Sequence, residues 1–263
     1  MNSPTDSAKT YIFTGTCRAG SGVVAAVTSF LAERDCYICA LEQFDDESTG
    51  KFFMRAVFRL QANSPAIETI KNTFHQVSNT FDMEWHIYDP DVPVKTLILV
   101  SKFDHCLDDI LYRRRKGEFN MEIAAVVSNH LDLRAMVERE GLRFIHLPVT
   151  AETKALQEQQ LLELIDETRA ELVVLARYMQ ILSDGLSQQL AGRCINIHHS
   201  FLPGFKGAKP YHQAYDRGVK LIGATAHYVT SNLDEGPIIE QVLTRVDHNF
   251  KPEHLVRVGR DNE

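Results

Sequence analysis

Short β-rich runs alternate with helical patterns over residues 94–246, and this alternation constrains the fold more than any other feature of the chain. It predicts a mostly parallel sheet in a Rossmann-like α/β domain, because parallel neighbours need a crossover connection that is usually helical. The predicted strands cover residues 95–100, 123–127, 143–147, 172–176, 194–197, 221–229 and 238–246. The predicted helices cover residues 105–116, 131–140, 151–169, 185–190 and 211–217.

The first 90 residues show a different order, β-α-β-β-α-β. The predicted strands cover residues 11–13, 36–44, 51–60 and 83–88, and the predicted helices cover residues 22–34 and 66–79. Two helices on one face of a four-stranded sheet form the ferredoxin-like α+β arrangement. The run DPDVP at residues 89–93 breaks strands and is typical of a linker. We therefore expect two domains, residues 1–90 and residues 91–263.

Composition and charge exclude several classes of protein. The 263 residues are 44% hydrophobic and 24% charged, as in folded chains, and a formal net charge of −7 argues against nucleic acid as a partner. The apolar runs are too short to span a bilayer, and residues 2–9 lack the order of a secretory signal. Five scattered cysteines, an odd number, fit free thiols in a reducing compartment rather than a metal site. We expect a cytoplasmic protein without a nucleic-acid or membrane partner and without a metal.

The candidate site lies where the predicted strand 194–197 ends, because ligands of α/β sheets bind beyond the carboxyl ends of strands. Alternation places Asn196 and His198 on one face, and a carboxamide beside an imidazole suits a developing oxyanion. Asp234, in the turn LDEGP between two predicted strands, adds a carboxylate. Each of these residues alone is more typical of a structural loop contact. Together they predict an acyl-transfer site that has no serine or cysteine nucleophile.

Several longer motifs around these residues resemble a known family. The segments NIH (196–198), SFLP (200–203), FKG (205–207) and DEGPI (234–238) resemble the formyltransferase fold of folate-dependent formyl-transfer enzymes. The segments VSKFDHCL (100–107), LARYMQIL (175–182) and GAKPYHQA (207–214) narrow the resemblance to the formyltetrahydrofolate deformylases, over residues 94–260. The first domain is similar to the ACT domain that this family carries, a regulatory domain that generally binds small amino acids.

The resemblance implies hydrolysis of 10-formyltetrahydrofolate to formate and tetrahydrofolate, which supplies formate for purine synthesis and balances one-carbon pools. It implies no permanently bound cofactor, and it assigns the catalytic roles to Asn196, His198 and Asp234. Asp234 would position or deprotonate the water, directly or through His198. Asn196 and protonated His198 would stabilise the tetrahedral oxyanion.

The resemblance also implies binding residues around this centre. The folate-binding residues would be Arg177, Tyr178, Met179, Gln180, Ile181, Leu182 and Gly236. Further residues expected to line the site are Lys102, Phe103, Asp104, His105, His199 and Lys209. Gly20 and Gly22 would lie at an amino-acid effector site of the ACT-like domain, where Ser21 replaces the proline more often found before the second glycine. Edge-to-edge pairing of ACT sheets would make the protein a homo-oligomer.

Two alternative functions stay open at this point. One is a formyltransferase that acts on an amine, although the loop 101–105 has no glycine to cradle a phosphate and Asp104 would repel one. The other is a non-catalytic sensor of amino acids or folate. The family pattern continues past Asp261 with another helix and strand, so a shortened C-terminus is also expected.

Overall fold

The computed structural model describes residues 9–204 and 210–263, and the chain divides into two compact units, Met1–Val92 and Pro93–Glu263. The strands of the first unit are β1 (Thr10–Arg18), β2 (Cys36–Asp46), β3 (Lys51–Leu60) and β4 (Glu84–Tyr88), and its helices are α1 (Val23–Ala32) and α2 (Ile67–Phe81). The sheet is antiparallel with the order β2-β3-β1-β4. The unit therefore has the strand and helix sequence of a ferredoxin-like fold.

Aromatic side chains form the centre of the first unit. Alternate residues of β1 and β3 are buried, as expected for a sheet covered on one face only. The ring of Phe74, on α2, lies 5.0 Å from Phe13, 5.1 Å from Phe30 and 4.7 Å from Trp85 between ring centroids. Because residues from both helices and from β1 and β3 share this one core, both helices pack on the same face of the sheet.

The second unit is built on a seven-stranded sheet with the order β11-β10-β9-β8-β5-β6-β7. Its strands are β5 (Val94–Val100), β6 (Met121–Ser128), β7 (Phe144–His146), β8 (Leu172–Leu175), β9 (Cys194–His198), β10 (Leu221–Tyr228) and β11 (Ile238–Arg245). Its helices are α3 (His105–Lys116), α4 (Arg134–Arg139), α5 (Lys154–Thr168), α6 (Asp184–Gln189), α7 (Pro210–Asp216) and α8 (Pro252–Asn262). Strands β5 to β9 are parallel, whereas β10 and β11 pair antiparallel. The prediction of a mostly parallel sheet is confirmed.

The central strand β5 is buried on both faces. Leu97 and Leu99 belong to one core cluster, and Ile98 and Val100 belong to the cluster on the opposite face. The chain runs from β5 outward to β6 and β7 and then returns to β8 on the other side of β5. The order of the strands therefore reverses between β5 and β8, which is where ligands of open α/β sheets bind.

The edge strand β11 exposes about half of each of four apolar side chains, Ile238, Ile239, Val242 and Leu243.

None of the helices in the described parts of the chain combines the length and the apolar content needed to cross a bilayer.

Candidate active site

A cavity of about 290 Å³ opens at the carboxyl ends of β8 and β9. Many of the residues that the sequence assigned to catalysis, to folate binding or to the lining of the site line it: Arg177, Tyr178, Met179, Gln180, Ile181, Leu182, Asn196, His198, His199 and Asp234. Met179 and Ile181 are at least half exposed, so they present apolar surface to a ligand. A small concave site with an apolar wall and a few convergent polar groups is typical of an enzyme that binds an organic substrate.

Asn196, His198 and Asp234 come together in this cavity. Asn196 and His198 stand two residues apart on β9, and Asp234 reaches them from the turn that follows β10. The Nδ1 atom of His198 lies 3.3 Å from Oδ1 of Asp234, and both side chains are buried. Nε2 of His198, the second ring nitrogen, is buried without a hydrogen-bond partner among the described residues. The carboxylate therefore fixes one ring nitrogen and leaves the other for a reacting group.

The Asp234 turn has an unusual backbone. Asp234 has φ +57°, in the left-handed region, which Asp and Asn adopt more readily than most residues. Gly236 lies so close to β10 that a Cβ atom there would stand 1.7 Å from the carbonyl oxygen of Tyr228. The N–H of Tyr228 donates to the carbonyl of Pro237 at 2.9 Å and closes the loop. Gly236 lies outside the cavity lining, so the feature that requires a glycine here is the close packing of this loop.

We expect Gly236→Ala to lower kcat by roughly a hundredfold and to lower the melting temperature. A Cβ at this position forces the loop away from Tyr228 and carries Asp234 away from His198, and a misplacement of about 1 Å costs roughly that factor. The measurements are steady-state formate release and thermal unfolding. Gly185→Ala on α6 is the matched control, because its Cβ would meet only Ser183 Oγ at 4.0 Å. Wild-type kcat in Gly236→Ala would contradict this account of the loop.

His227 is a buried residue of the site that the sequence did not reveal. It lies on β10 directly opposite Asn196, and its Nε2 atom is 3.2 Å from Asn196 Nδ2. Its Nδ1 atom lies 2.9 Å from the carbonyl oxygen of Tyr228, so Nδ1–H donates there and Nε2 accepts from the Asn196 amide. His227 thus turns the Asn196 carboxamide to one orientation. Its Nε2 is also 3.8 Å from Asp234 Oδ1.

We expect His227→Phe to lower kcat roughly 10- to 100-fold with little change in KM, since one buried hydrogen bond of about 1–3 kcal/mol is lost to Asn196. His227→Gln offers an acceptor and should recover part of the rate. A merely structural role would instead lower the folded fraction of both variants without a change in kcat per folded molecule. Steady-state kinetics beside circular dichroism separate these outcomes.

Next to His198 lies a buried charged cluster that contains His199. Burial, aided by the positive charge of Arg177, lowers the pKa of His199 to about 4, so its ring is neutral at pH 7. Oε2 of Glu263 lies 2.9 Å from His105 Nε2 and 3.3 Å from Arg177 Nε, and the Tyr211 hydroxyl donates to Glu263 Oε1 at 3.2 Å. Burial opposes ionisation of Glu263, but its hydrogen bond with His105 and the charge of Arg177 outweigh burial and lower its pKa.

Four residues that were expected to line the site, Lys102, Phe103, Asp104 and His105, lie beside the cavity. His105 turns to Glu263, and the Phe103 ring lies under the Arg177 guanidinium, 4.8 Å from its centroid to Cζ. Lys102 and Asp104 are exposed side chains of the loop after β5 and do not line the cavity. These four residues therefore do not line this cavity, because the loop turns them to solvent or to the cluster, and their place at the site stays a prediction. Lys209 lies outside the described residues.

One group of possible metal ligands lies in the same cluster. Ligand atoms of His105, Cys106 and Glu263 all lie within 4.8 Å of one another. Burial, and then the charge of Glu263, raises the pKa of the Cys106 thiol to about 12, so the thiolate that binds metals is scarce at neutral pH. Nε2 of His105 is already engaged with Glu263. In this structure the three side chains form part of the ion-pair cluster around Glu263.

Comparisons with known proteins agree with this geometry. The formyl transferase family matches residues 94–263. The chain is 51% identical over 253 residues to formyltetrahydrofolate deformylase of Corynebacterium sp. (strain P-1), covering 96% of this chain and 88% of that protein. It is 39% identical over 247 residues to the deformylase of Escherichia coli (strain K12), covering 94% and 86%.

Solved structures give the same picture. The crystal structure of formyltetrahydrofolate deformylase from Burkholderia mallei ATCC 23344 superimposes with a TM-score of 0.92 at 51% identity, over 97% of this chain and 90% of that one. Glycinamide ribonucleotide transformylase 1 from Symbiobacterium toebii superimposes with a TM-score of 0.61 at 30% identity, over 64% of this chain and 81% of that one. The similarity to the transformylase therefore covers a smaller part of the chain than the similarity to the deformylase.

Proposed function

The chain belongs to the formyltetrahydrofolate deformylases, and from this we propose that it hydrolyses 10-formyltetrahydrofolate to formate and tetrahydrofolate in the cavity at β8 and β9. The observation that carries the proposal is the ring of His198. One nitrogen is held by Asp234 at 3.3 Å, while the other is buried without a partner among the described residues. An imidazole that is oriented by a carboxylate and has its second nitrogen unpaired among the described residues is suited to general acid–base chemistry.

The proposed reaction begins with a water molecule attacking the formyl carbon. Asp234 takes the water proton, directly or through His198, as the new C–O bond forms. The negative charge moves to the formyl oxygen, where the Asn196 amide and protonated His198 donate hydrogen bonds. The tetrahedral intermediate then collapses, the bond from carbon to N10 of the folate breaks, and N10 takes the proton. Formate and tetrahydrofolate leave, and no acyl-enzyme forms.

The folate would bind along the loop after β8. Met179 and Ile181 offer apolar surface to the flat ring, and Tyr178 is held by a hydrogen bond from Gln157 Nε2 at 3.0 Å. The Met179 N–H donates to Ser101 Oγ at 2.9 Å, which ties this loop to the end of β5. A wall fixed in this way needs little ordering when the ligand binds, so less affinity is lost to entropy.

The experiment that tests the proposal is formate release from 10-formyltetrahydrofolate by the purified chain without an added amine. Release in water alone is the expected result. If 10-formyltetrahydrofolate is consumed only when an amine acceptor is present, hydrolysis is contradicted and the protein is a formyltransferase. Folate binding without turnover, with or without an amine, would favour the non-catalytic sensor.

We also propose that residues 1–90 form an ACT-like regulatory domain and that the protein is a cytoplasmic homo-oligomer whose formate supplies purine synthesis. The ACT-like domain is supported by the sheet order β2-β3-β1-β4 and by the turn before α1, where Gly22 has φ +87°. Gly20 and Gly22 are exposed, and no other atom lies within 4 Å of a Cβ built on either. Repeating the formate assay with glycine and with methionine tests regulation, and an unchanged rate with both would contradict an effector role for these two amino acids.

A further inference from the structure

Arg177 occupies a backbone position that costs energy for any residue other than glycine. It follows β8 after Ala176 and has φ +62°, in the left-handed region. A long side chain in this region typically costs about 1–2 kcal/mol compared with the right-handed form. Such strain concentrates at functional sites, where the rest of the structure holds it in place. A functional role of the Arg177 side chain would account for this strain.

The guanidinium of Arg177 is buried but incompletely paired. The side chain is 9% exposed, its Nε lies 3.3 Å from Glu263 Oε2, and Phe103 covers its face. Nε and Nη1 have no hydrogen-bond partner within the described parts of the chain. The oxygens of Glu263 are shared with His105 and with the Tyr211 hydroxyl. Buried guanidinium groups normally have their N–H donors satisfied, so the unfilled donors here indicate a ligand.

The position of Arg177 in the cavity defines the kind of ligand. The residue lines the cavity together with His198, His199 and Asp234. Among the described lining residues, Arg177 is the one permanent cation, and Asp234, the one carboxylate, is engaged with His198. His199, which also lines the cavity, is neutral at pH 7. A planar guanidinium fork beside the reacting groups matches a small planar carboxylate.

We propose that Arg177 binds the formate released by hydrolysis, as a product site for a small monocarboxylate. The inference rests on the proposed function, which supplies the ligand. When the bond from the formyl carbon to N10 breaks, N10 takes the proton and the new carboxyl group loses its own proton to water. The resulting anion moves from Asn196 and His198 to the unfilled donors of Arg177. The anion stays at these donors until the product leaves.

The test measures equilibrium binding of ¹³C-formate to the folate-free enzyme by NMR line broadening, with sodium chloride at matched ionic strength. Wild type should broaden the signal saturably. Arg177→Met should weaken formate binding about tenfold or more, the size of one charged hydrogen bond, and Arg177→Lys should lie between. Arg143→Met is the matched control, because Arg143 is exposed and pairs with Glu167 at 2.7 Å. Formate should also inhibit wild type more strongly than Arg177→Lys in the steady state.

The inference would be overturned if wild type did not broaden the formate signal saturably. It would also be overturned if Arg177→Met and wild type bound formate with equal affinity. If Arg177→Met does not fold, Arg177→Lys and the wild-type titration decide, and equal affinity of these two would also overturn it. Failure of the proposed function looks different. In that case the enzyme releases no formate from 10-formyltetrahydrofolate, while the NMR titration still reports whether Arg177 binds the anion.

Discussion

Replacing Asp234 by asparagine is expected to lower kcat for formate release by about 10²–10⁴-fold and to leave folate affinity within a few-fold of wild type. Asparagine keeps the size of the side chain and tolerates the left-handed backbone at φ +57°, so the turn should persist. What is lost is the carboxylate 3.3 Å from His198 Nδ1, which we propose takes the water proton or orients the imidazole that does. The proposed folate wall at Met179 and Ile181 is apolar and is left unchanged by the substitution.

The measurements are single-turnover formate release and equilibrium folate binding by fluorescence quenching. Asp166→Asn on the exposed face of α5 is the control for the loss of one negative charge. More than about a tenth of wild-type kcat in Asp234→Asn would remove Asp234 from the general-base role. Equal losses of kcat and of folate affinity would show instead that the turn itself had moved.

Much of this site could be predicted from local pattern. The i, i+2 spacing of Asn196 and His198 is enough to place both side chains on one face of a strand, and β9 runs through both. Helix α3 begins and ends at the residues that periodicity predicted, because its apolar spacing and the glycine that follows it are local signals. Local patterns of this kind need no knowledge of the rest of the chain.

Other features depend on distant residues and could not be read locally. The helix predicted from residue 66 begins at Ile67, but Ser64 does not cap it, because the Ser64 hydroxyl donates to the carbonyl of Asp35 and accepts from the N–H of Gln61. Helix α8 was not predicted at all. Its Gly259 weakens the helical pattern, but the absent side chain admits the Tyr211 ring, since a Cβ there would lie 2.1 Å from that ring. At Gly259, tertiary packing thus overrides helix propensity.

The site residues that the sequence missed or misplaced also depend on contacts with distant parts of the chain. A single histidine in an apolar strand, such as His227, is most often a core residue, and only the register of β10 against β9 brings it to Asn196. Arg177 was expected on the folate wall because its neighbours in sequence are there. Arg177 does line the cavity, but its left-handed backbone and the carboxylate of Glu263, 86 positions further along the chain, also bring its side chain against the cluster.

Asn196→Ala is expected to lower kcat by about 10²–10³-fold with KM nearly unchanged, because in the proposed mechanism the amide donates to charge that develops only in the transition state. His227 acts through Asn196, whose Nδ2 it holds at 3.2 Å. In the double variant with His227→Phe, the loss should therefore equal that of Asn196→Ala alone, whereas independent roles would multiply the two losses. Asn249→Ala, in an exposed turn, controls for the loss of a carboxamide. Multiplied losses would mean that His227 contributes through its 3.8 Å approach to Asp234 rather than through Asn196.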